Sequence, residues 1–307
     1  MLLSVLALLG GFLLAGVGGD LFVRGCLGTA NALRIPNAIV AVTIAAFATS
    51  SPELSVAINA ALEGTPQIAI GDAFGSNIVN VALVLGTSLC FGSMPCNRKD
   101  IARDWLLAFL APLMVLLMTR DGVVDRLDVI VLLLSFCAWL IVLVIAAGKH
   151  RRSILPDIGH SQKMGRALIY LATGLALLIG SGTLIVIGAK GVGAGLGLSP
   201  FITGVTLVAL GTSMPELATS LIARYHGHHD IGLGTVLGSN IFNLMLIVAT
   251  AAMIHPIAIT SSELLKPALI GLAMLVVVFP NKGGSIPRWR AVPLLVGYVL
   301  YIGTVVA

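Results

Sequence analysis

Apolar runs separated by short polar punctuation recur along the whole chain. They predict ten membrane crossings, at about 2–23, 37–61, 68–90, 104–119, 127–147, 166–189, 200–223, 230–254, 264–280 and 289–306. Each run approaches the roughly 20 residues that a helix needs to span a hydrocarbon core. The longest polar stretch, Lys149 to Arg166, falls between the fifth and sixth runs. It divides the chain into a five-helix half over 1–148, a basic linker over 149–165 and a second five-helix half over 166–307. The first run reads as a transmembrane helix rather than a cleaved leader, because no basic region precedes it.

Composition sharpens that picture. Of 307 residues, 58% are apolar and 10% charged, with a mean hydropathy of +1.05. Ordinary globular chains carry about 25% charged residues. A secreted disulfide scaffold, a cytosolic enzyme and a disordered chain are all excluded. Cys26, Cys90, Cys96 and Cys137 show no metal-ligand spacing and read as small hydrophobes.

The basic pI, about 9.2, raises the question of nucleic acid, and charge placement answers it. The odd-numbered connections hold Arg24, Arg34, Arg98, Lys99, Arg103, Lys149, Arg151, Arg152, Lys163, Arg166, Arg224, Lys282, Arg288 and Arg290. Only Arg120, Arg126, Lys190 and Lys266 remain for the other side. The positive-inside rule therefore predicts a cytoplasmic odd side and both termini outside. No Lys or Arg is left in a membrane interior. The basicity is an orientation signal, and the partner it implies is a lipid bilayer, with no nucleic acid and no obligatory protein partner.

The two halves share a repeat. Residues 42–86 and 205–249, slid by 163 without a gap, match at 18 of 45 positions. The matches include Thr49/Thr212, Ser50/Ser213, Pro52/Pro215, Glu53/Glu216, Gly75/Gly238, Ser76/Ser239, Asn77/Asn240 and Asn80/Asn243. Biased composition would match apolar letters, not these polar residues in step. Each half has an odd number of crossings, so the repeats are inverted, a plan that places a transport site at their interface near mid-membrane.

Glu53 and Glu216 fall near the middle of the second and seventh crossings. A charge there costs roughly 2.5–3.5 kcal/mol even on the lenient insertion scale. The chain offers no intramembrane Lys or Arg to neutralise them, so a bound cation or a proton must. Thr49 and Ser50 share the helical face of Glu53, and Ser76 lies four residues before Asn80 on the next crossing. Thr212, Ser213, Glu216, Ser239 and Asn243 repeat the arrangement. Pro52 and Pro215 lack an N–H and should bend their helices, freeing the carbonyls of Ala48 and Gly211. Carboxylate, hydroxyl, carboxamide and carbonyl oxygens suit hard ions such as Ca²⁺ and Na⁺. The set lacks thiolate and imidazole, which argues against zinc or copper.

These residues resemble the paired α-repeats of the calcium/cation antiporter superfamily, closest to the prokaryotic sodium/calcium exchangers. The family pattern is Gly-Thr-Ser-x-Pro-Glu followed by Gly-Ser-Asn-x-x-Asn or Asp, once per half. The resemblance implies four ion sites around the paired glutamates, three for Na⁺ and one for Ca²⁺. It implies central ligands Glu53, Asn80, Glu216 and Asn243. The implied outer ligands are Ala46, Thr49, Ser50, Ser76, Ala209, Thr212, Ser213 and Ser239, with the alanines acting through their carbonyls. The chain departs from the pattern at Ala48 and Ser51, and carries Asn243 where some relatives have Asp.

Weaker signals have blander readings. Asp72 stands about five residues into the third crossing, opposite Thr235 in the repeat, and reads as a carboxylate at the external mouth, short of the binding centre. Asp20 reads as a polar tie between helices. His226, His228, His229 and Asp230 read as a solvated turn. Gly11, Ala15 and Gly19 form a small-residue stripe for close helix packing.

The sequence thus predicts an all-α polytopic protein of ten transmembrane helices in two inverted five-helix repeats. It is expected to exchange Ca²⁺ for Na⁺ across the inner membrane by alternating access, with no cofactor and no enzymatic activity. Exchange of a divalent cation against H⁺ is the alternative, since a proton can also neutralise a desolvated carboxylate. An intramembrane aspartyl protease is disfavoured, because Asp72 has no second Asp to face it.

Overall fold

The structure, a computed structural model, describes residues 1–32, 50–96, 98–149, 164–214, 216–217, 220–221 and 229–306. Helix α1 spans Leu2–Ala32 and α2 spans Ser51–Leu62. Helix α3 begins as Pro66–Val79, passes through a π turn at Asn80–Leu85 and ends as Gly86–Cys90. Then come α4 (Arg98–Met118), α5 (Arg126–Lys149) and α6 (Met164–Gly195). Helix α7 runs Pro200–Thr203, Gly204–Val208 as a π turn, and Ala209–Thr212. Helix α8 runs His229–Phe242, a π turn at Asn243–Ile247, and Val248–Ile254. The last two are α9 (Ser261–Val277) and α10 (Ala291–Val306).

Among the described residues, six helices are long and apolar enough to cross a membrane. Two of them are unlike the rest. The apolar window of α3 is 94% buried and that of α8 is 78% buried, whereas those of α4 and α5 are 22% buried. Helices α3 and α8 therefore form the centre, and the others turn leucines such as Leu13, Leu134 and Leu168 outward. An outer helix that is apolar all round suits a lipid surround.

Helices α1 and α6 pack along their full lengths in opposite directions: Gly11 meets Ile185, Gly18 meets Leu178 and Gly25 meets Leu171. A Cβ at Gly25 would come within 2.3 Å of the Leu171 nitrogen, so the backbones touch. Helix α6 answers with Gly174 against Phe22 and Gly188 against Leu8. The contact stripe is Gly11, Gly18 and Gly25, a spacing of seven. Of the expected stripe, Gly11 and Ala15 are buried at this seam, whereas a Cβ at Gly19 meets nothing within 4 Å among the described residues. A long antiparallel pair keeps the same face in contact every two turns, so a spacing of seven fits where a spacing of four drifts off the seam.

Helix α1 also outruns its predicted end near residue 23. Asp20 pairs with Arg24 of its own helix, Nε to Oδ2 at 2.9 Å, an exposed i,i+4 bridge within the continuing helix. Asp20 is thus exposed and is not the tie between helices that its position suggested.

The connections gather at two ends. At one, strand β1 (Met94–Pro95) pairs with β4 (Ser285–Ile286), and the Arg98 Nε donates to the Pro280 carbonyl at 2.8 Å. At the other, β2 (Val123–Val124) pairs with β3 (Ile257–Ala258). There the Gln67 amide donates to the Ala258 carbonyl, and Lys190 bridges Glu63 at 2.8 Å. Helix α9 starts at this end, where the Glu263 carboxylate accepts the N–H of Thr260. These ties group the connections by the odd and even order in which they occur.

Among the described residues, proline stands both at helix starts and inside helices, as Pro112 in α4 and Pro267 in α9. Pro52 sits in the first turn of α2, behind the turn residue Ser50. Proline fits a first turn because the N–H it lacks has no partner there anyway. In the second repeat α7 stops at Thr212, Ser213 is a turn, and the chain is helical again by Met214. Ala48 and Pro215 lie outside the described residues.

Candidate cation-binding site

Helices α3 and α8 cross at their Gly-Ser-Asn motifs, and four amides fasten the crossing. Asn77 Nδ2 donates to the Asn240 carbonyl at 3.1 Å, and Asn240 Nδ2 returns a bond to the Asn77 carbonyl at 3.3 Å. Asn80 Nδ2 donates to Asn240 Oδ1 at 3.2 Å, and Asn243 Nδ2 to Asn77 Oδ1 at 3.1 Å. This network fixes which end of each carboxamide is oxygen. Asn80 and Asn243 spend their donors on the clamp. Their Oδ1 atoms are buried with no hydrogen-bond partner among the described residues. The π turns of α3 and α8 begin at these same two asparagines, and such turns often mark functional sites because they re-aim the side chains that follow.

Glu53 occupies the first turn of α2 and is fully buried, and Glu216 is 1% exposed. Glu216 and Asp72 each lie near enough to Glu53 to act on its carboxylate electrostatically. Neither oxygen of Glu53 has a well-formed hydrogen bond among the described residues. The nearby Thr212 hydroxyl is directed instead to Asp72 Oδ1 at 3.1 Å and the Val208 carbonyl at 3.1 Å. Burying a carboxylate without a counter-charge costs on the order of several kcal/mol. The ion pairs among the described residues join Arg24 to Asp20, Arg103 to Asp104 and Lys190 to Glu63, so none of them serves this cluster.

Close helix approach supplies the hydroxyls. Gly75 of α3 lies against α7 so tightly that a Cβ would stand 2.4 Å from the Val205 carbonyl oxygen and 2.6 Å from the Ala209 Cβ. This contact sets the Ser76 and Thr212 hydroxyl oxygens 3.5 Å apart. Ser50 Oγ, just before α2, and Ser213 Oγ, just after α7, are buried with no hydrogen-bond partner among the described residues. The Ala209 carbonyl receives the Ser213 N–H at 3.2 Å and keeps a second lone pair. Ser239 is buried in α8.

Ten residues expected to carry the site are therefore all interior: Ser50, Glu53, Ser76, Asn80, Ala209, Thr212, Ser213, Glu216, Ser239 and Asn243. Ala46 and Thr49 lie outside the described residues, as do His226 and His228. What the sequence reading missed is Asp72, Asn77 and Asn240. Asp72 is wholly buried, not a hydrated residue at a mouth, and its Oδ1 accepts the Ser76 hydroxyl at 3.2 Å as well as that of Thr212. Its position four residues before Ser76 was the available signal. Asn77 and Asn240 stood in the repeat match without a role.

Buried carboxylate, carboxamide and hydroxyl oxygens are the ligand types that hard cations favour. Comparison with known proteins agrees with that chemistry. The sodium/calcium exchanger protein family matches residues 3–145 and 166–307. The chain belongs to this family. CaxA of Alkalimonas amylolytica is 31% identical, with 99% of this chain and 98% of that protein covered. The sodium/calcium exchanger MaX1 of Methanosarcina acetivorans is 27% identical, with 97% of each covered. A solved structure of the sodium-calcium exchanger NCX_Mj, soaked with Na⁺ and Sr²⁺, superimposes with a TM-score of 0.67 at 29% identity over 98% of both chains. A multi-pass membrane exchanger fold follows from these matches and from the apolar helices.

Proposed function

We propose that this chain is an inner-membrane antiporter that exchanges Ca²⁺ for Na⁺ by alternating access. Its ten crossings form two inverted five-helix halves, with both termini outside. One observation carries the reading: the carboxylate of Glu53, the carboxamide oxygens of Asn80 and Asn243 and the hydroxyls of Ser50 and Ser213 are buried acceptors without hydrogen-bond donors among the described residues. Such a set is costly to bury unless a cation or a proton meets it. In this reading Ca²⁺ binds Glu53 and Glu216 with the oxygens of Asn80 and Asn243. Na⁺ takes the outer oxygens of Ala46, Thr49, Ser50, Ser76, Ala209, Thr212, Ser213 and Ser239 and shares the carboxylates. Both ions draw on the same two glutamates, so their occupancy excludes one another, and that exclusion makes an exchanger rather than a cotransporter. The antiparallel pair α1 and α6 is the element that moves, because its glycine seam lets it travel as one body.

Family membership, a relative named as a sodium/calcium exchanger and a neighbour soaked with Na⁺ and Sr²⁺ support the choice of ions. The inner membrane is supported by the 30% identity to the inner membrane protein YrbG of Escherichia coli. The test is ⁴⁵Ca²⁺ uptake into Na⁺-loaded proteoliposomes, with and without a pH gradient. Uptake that follows the Na⁺ gradient is expected. Uptake that ignores Na⁺ and follows the proton gradient would overturn the assignment.

A further inference from the structure

We infer that Asp72 is a third carboxylate ligand of the site, forming with Ser76 and Thr212 a subsite for Na⁺; this rests on the exchanger reading above. Asp72 is buried completely, one helical turn before Ser76 on α3. Its Oδ1 accepts both hydroxyls, from Ser76 at 3.2 Å and from Thr212 at 3.1 Å. Its Oδ2 is buried and makes no hydrogen bond among the described residues. Each hydroxyl has a single hydrogen. The Ser76 hydrogen goes to Asp72, and the Thr212 hydrogen is shared between Asp72 and the Val208 carbonyl. The lone pairs of both oxygens, 3.5 Å apart, are left for a cation.

Neither a helix-dipole role nor a purely structural one accounts for this carboxylate. Asp72 is the seventh residue from Pro66, past the first turn where a helix dipole steadies an acid. As a mere tie between α3 and α7 it would need one acceptor oxygen, and an asparagine would supply that without a buried charge. The repeat shows the asymmetry directly: 163 residues on, Ser76 becomes Ser239 but Asp72 becomes Thr235. One carboxylate oxygen and two neutral hydroxyls suit a monovalent hard ion. Ca²⁺ takes six to eight oxygens, several of them anionic, and Glu53 and Glu216 provide those.

The test uses full-length protein in proteoliposomes and two variants, Asp72→Asn and Asp72→Thr. The first keeps the shape and one acceptor, and the second installs the residue of the other repeat. Two fluxes are compared: Na⁺-driven ⁴⁵Ca²⁺ movement, and Ca²⁺/Ca²⁺ exchange in Na⁺-free medium. Both variants should raise the half-activating Na⁺ concentration about 10–100-fold, the usual cost of losing a group that supports metal ligands. Ca²⁺/Ca²⁺ exchange should lose less than Na⁺ activation does, because Glu53 and Glu216 remain in place, and the difference between the two fluxes is the readout. Unchanged Na⁺ activation in both variants would overturn the inference and leave the exchanger reading intact. Equal loss of both fluxes would overturn the assignment to Na⁺. Binding is read separately as the Na⁺-induced rise in melting temperature in detergent. That rise should shrink in Asp72→Asn, and it reports on Asp72 even if wild-type protein moves no Ca²⁺, the outcome that would sink the exchanger reading instead.

Discussion

Asn77 and Asn240 clasp each other's main chains, each carboxamide donating to the other's carbonyl, at 3.1 and 3.3 Å. The two residues are repeat mates, so one bond pattern serves both sides of the crossing. The same two side chains hold Asn243 and Asn80 by their donors and leave two Oδ1 atoms aimed at the candidate site. The clamp thus couples the fold of the centre to the orientation of its ligands.

Removing one jaw should be felt in both places. Asn77→Ala strands the Asn243 amide and the Asn240 carbonyl in the interior, where an unmade bond costs about 1–3 kcal/mol. A lower melting temperature and weaker Ca²⁺ activation are expected together, and Asn240→Ala should do the same through Asn80. The double variant should lose less than the sum, since both residues belong to one network. Strict additivity by thermal unfolding would show that the clamp is not a unit.

The glutamates give a different signature. Glu53→Gln and Glu216→Gln remove a buried charge and keep the shape, so each protein should fold and insert normally. Because a buried carboxylate is costly to desolvate, the Glu53→Gln variant should equal or exceed wild-type stability in ion-free detergent. Na⁺-driven Ca²⁺ flux should be abolished in each. Near-normal flux in either would remove that glutamate from the site.

The division between what could be read and what could not follows from physics. Glu53, Asn80 and their mates stand out because charged or amide residues inside an apolar run have few structural uses. Asp72 is misplaced by sequence because distance along a helix is not distance from water. The two part company in α3, which is enclosed by protein over nearly its whole apolar window. The π turns leave no trace in the sequence, because they depend on how α3 and α8 seat against their neighbours. The spacing of the α1 stripe is hidden for a related reason: Gly11, Ala15 and Gly19 lie on one face, but only the partner helix selects which small residues touch. Asp20 and Arg24 look like the end of a helix, and their pairing instead lies within it.

Gly75 tests whether close approach is needed. A methyl group there meets the Val205 carbonyl oxygen at 2.4 Å, nearer than packed atoms tolerate. Gly75→Ala should push α3 from α7 at a cost of about 1–3 kcal/mol. It should also separate Ser76 from Thr212 and weaken Na⁺ activation. Gly238→Ala is the control, since a Cβ there meets nothing within 4 Å among the described residues. Equal damage from the two substitutions would show that the α3–α7 contact is not what sets the hydroxyls.

The proposed stoichiometry has an electrical consequence. Three Na⁺ leaving for one Ca²⁺ entering carry one net positive charge out of a vesicle in each cycle. A potential of 100 mV acts on that charge with about 2.3 kcal/mol, which is roughly 40-fold in the equilibrium Ca²⁺ ratio at a fixed Na⁺ gradient. Inside-positive potassium-diffusion potentials should therefore drive ⁴⁵Ca²⁺ accumulation in Na⁺-loaded proteoliposomes, and inside-negative ones should oppose it. Exchange of two Na⁺ or two H⁺ for each Ca²⁺ moves no net charge and predicts a final ratio that ignores the potential. The steady-state ratio is the quantity to measure, because rates also respond to which loaded form of the carrier bears charge. A ratio that stays constant across imposed potentials would exclude the three-for-one count while leaving the paired glutamates as the binding centre.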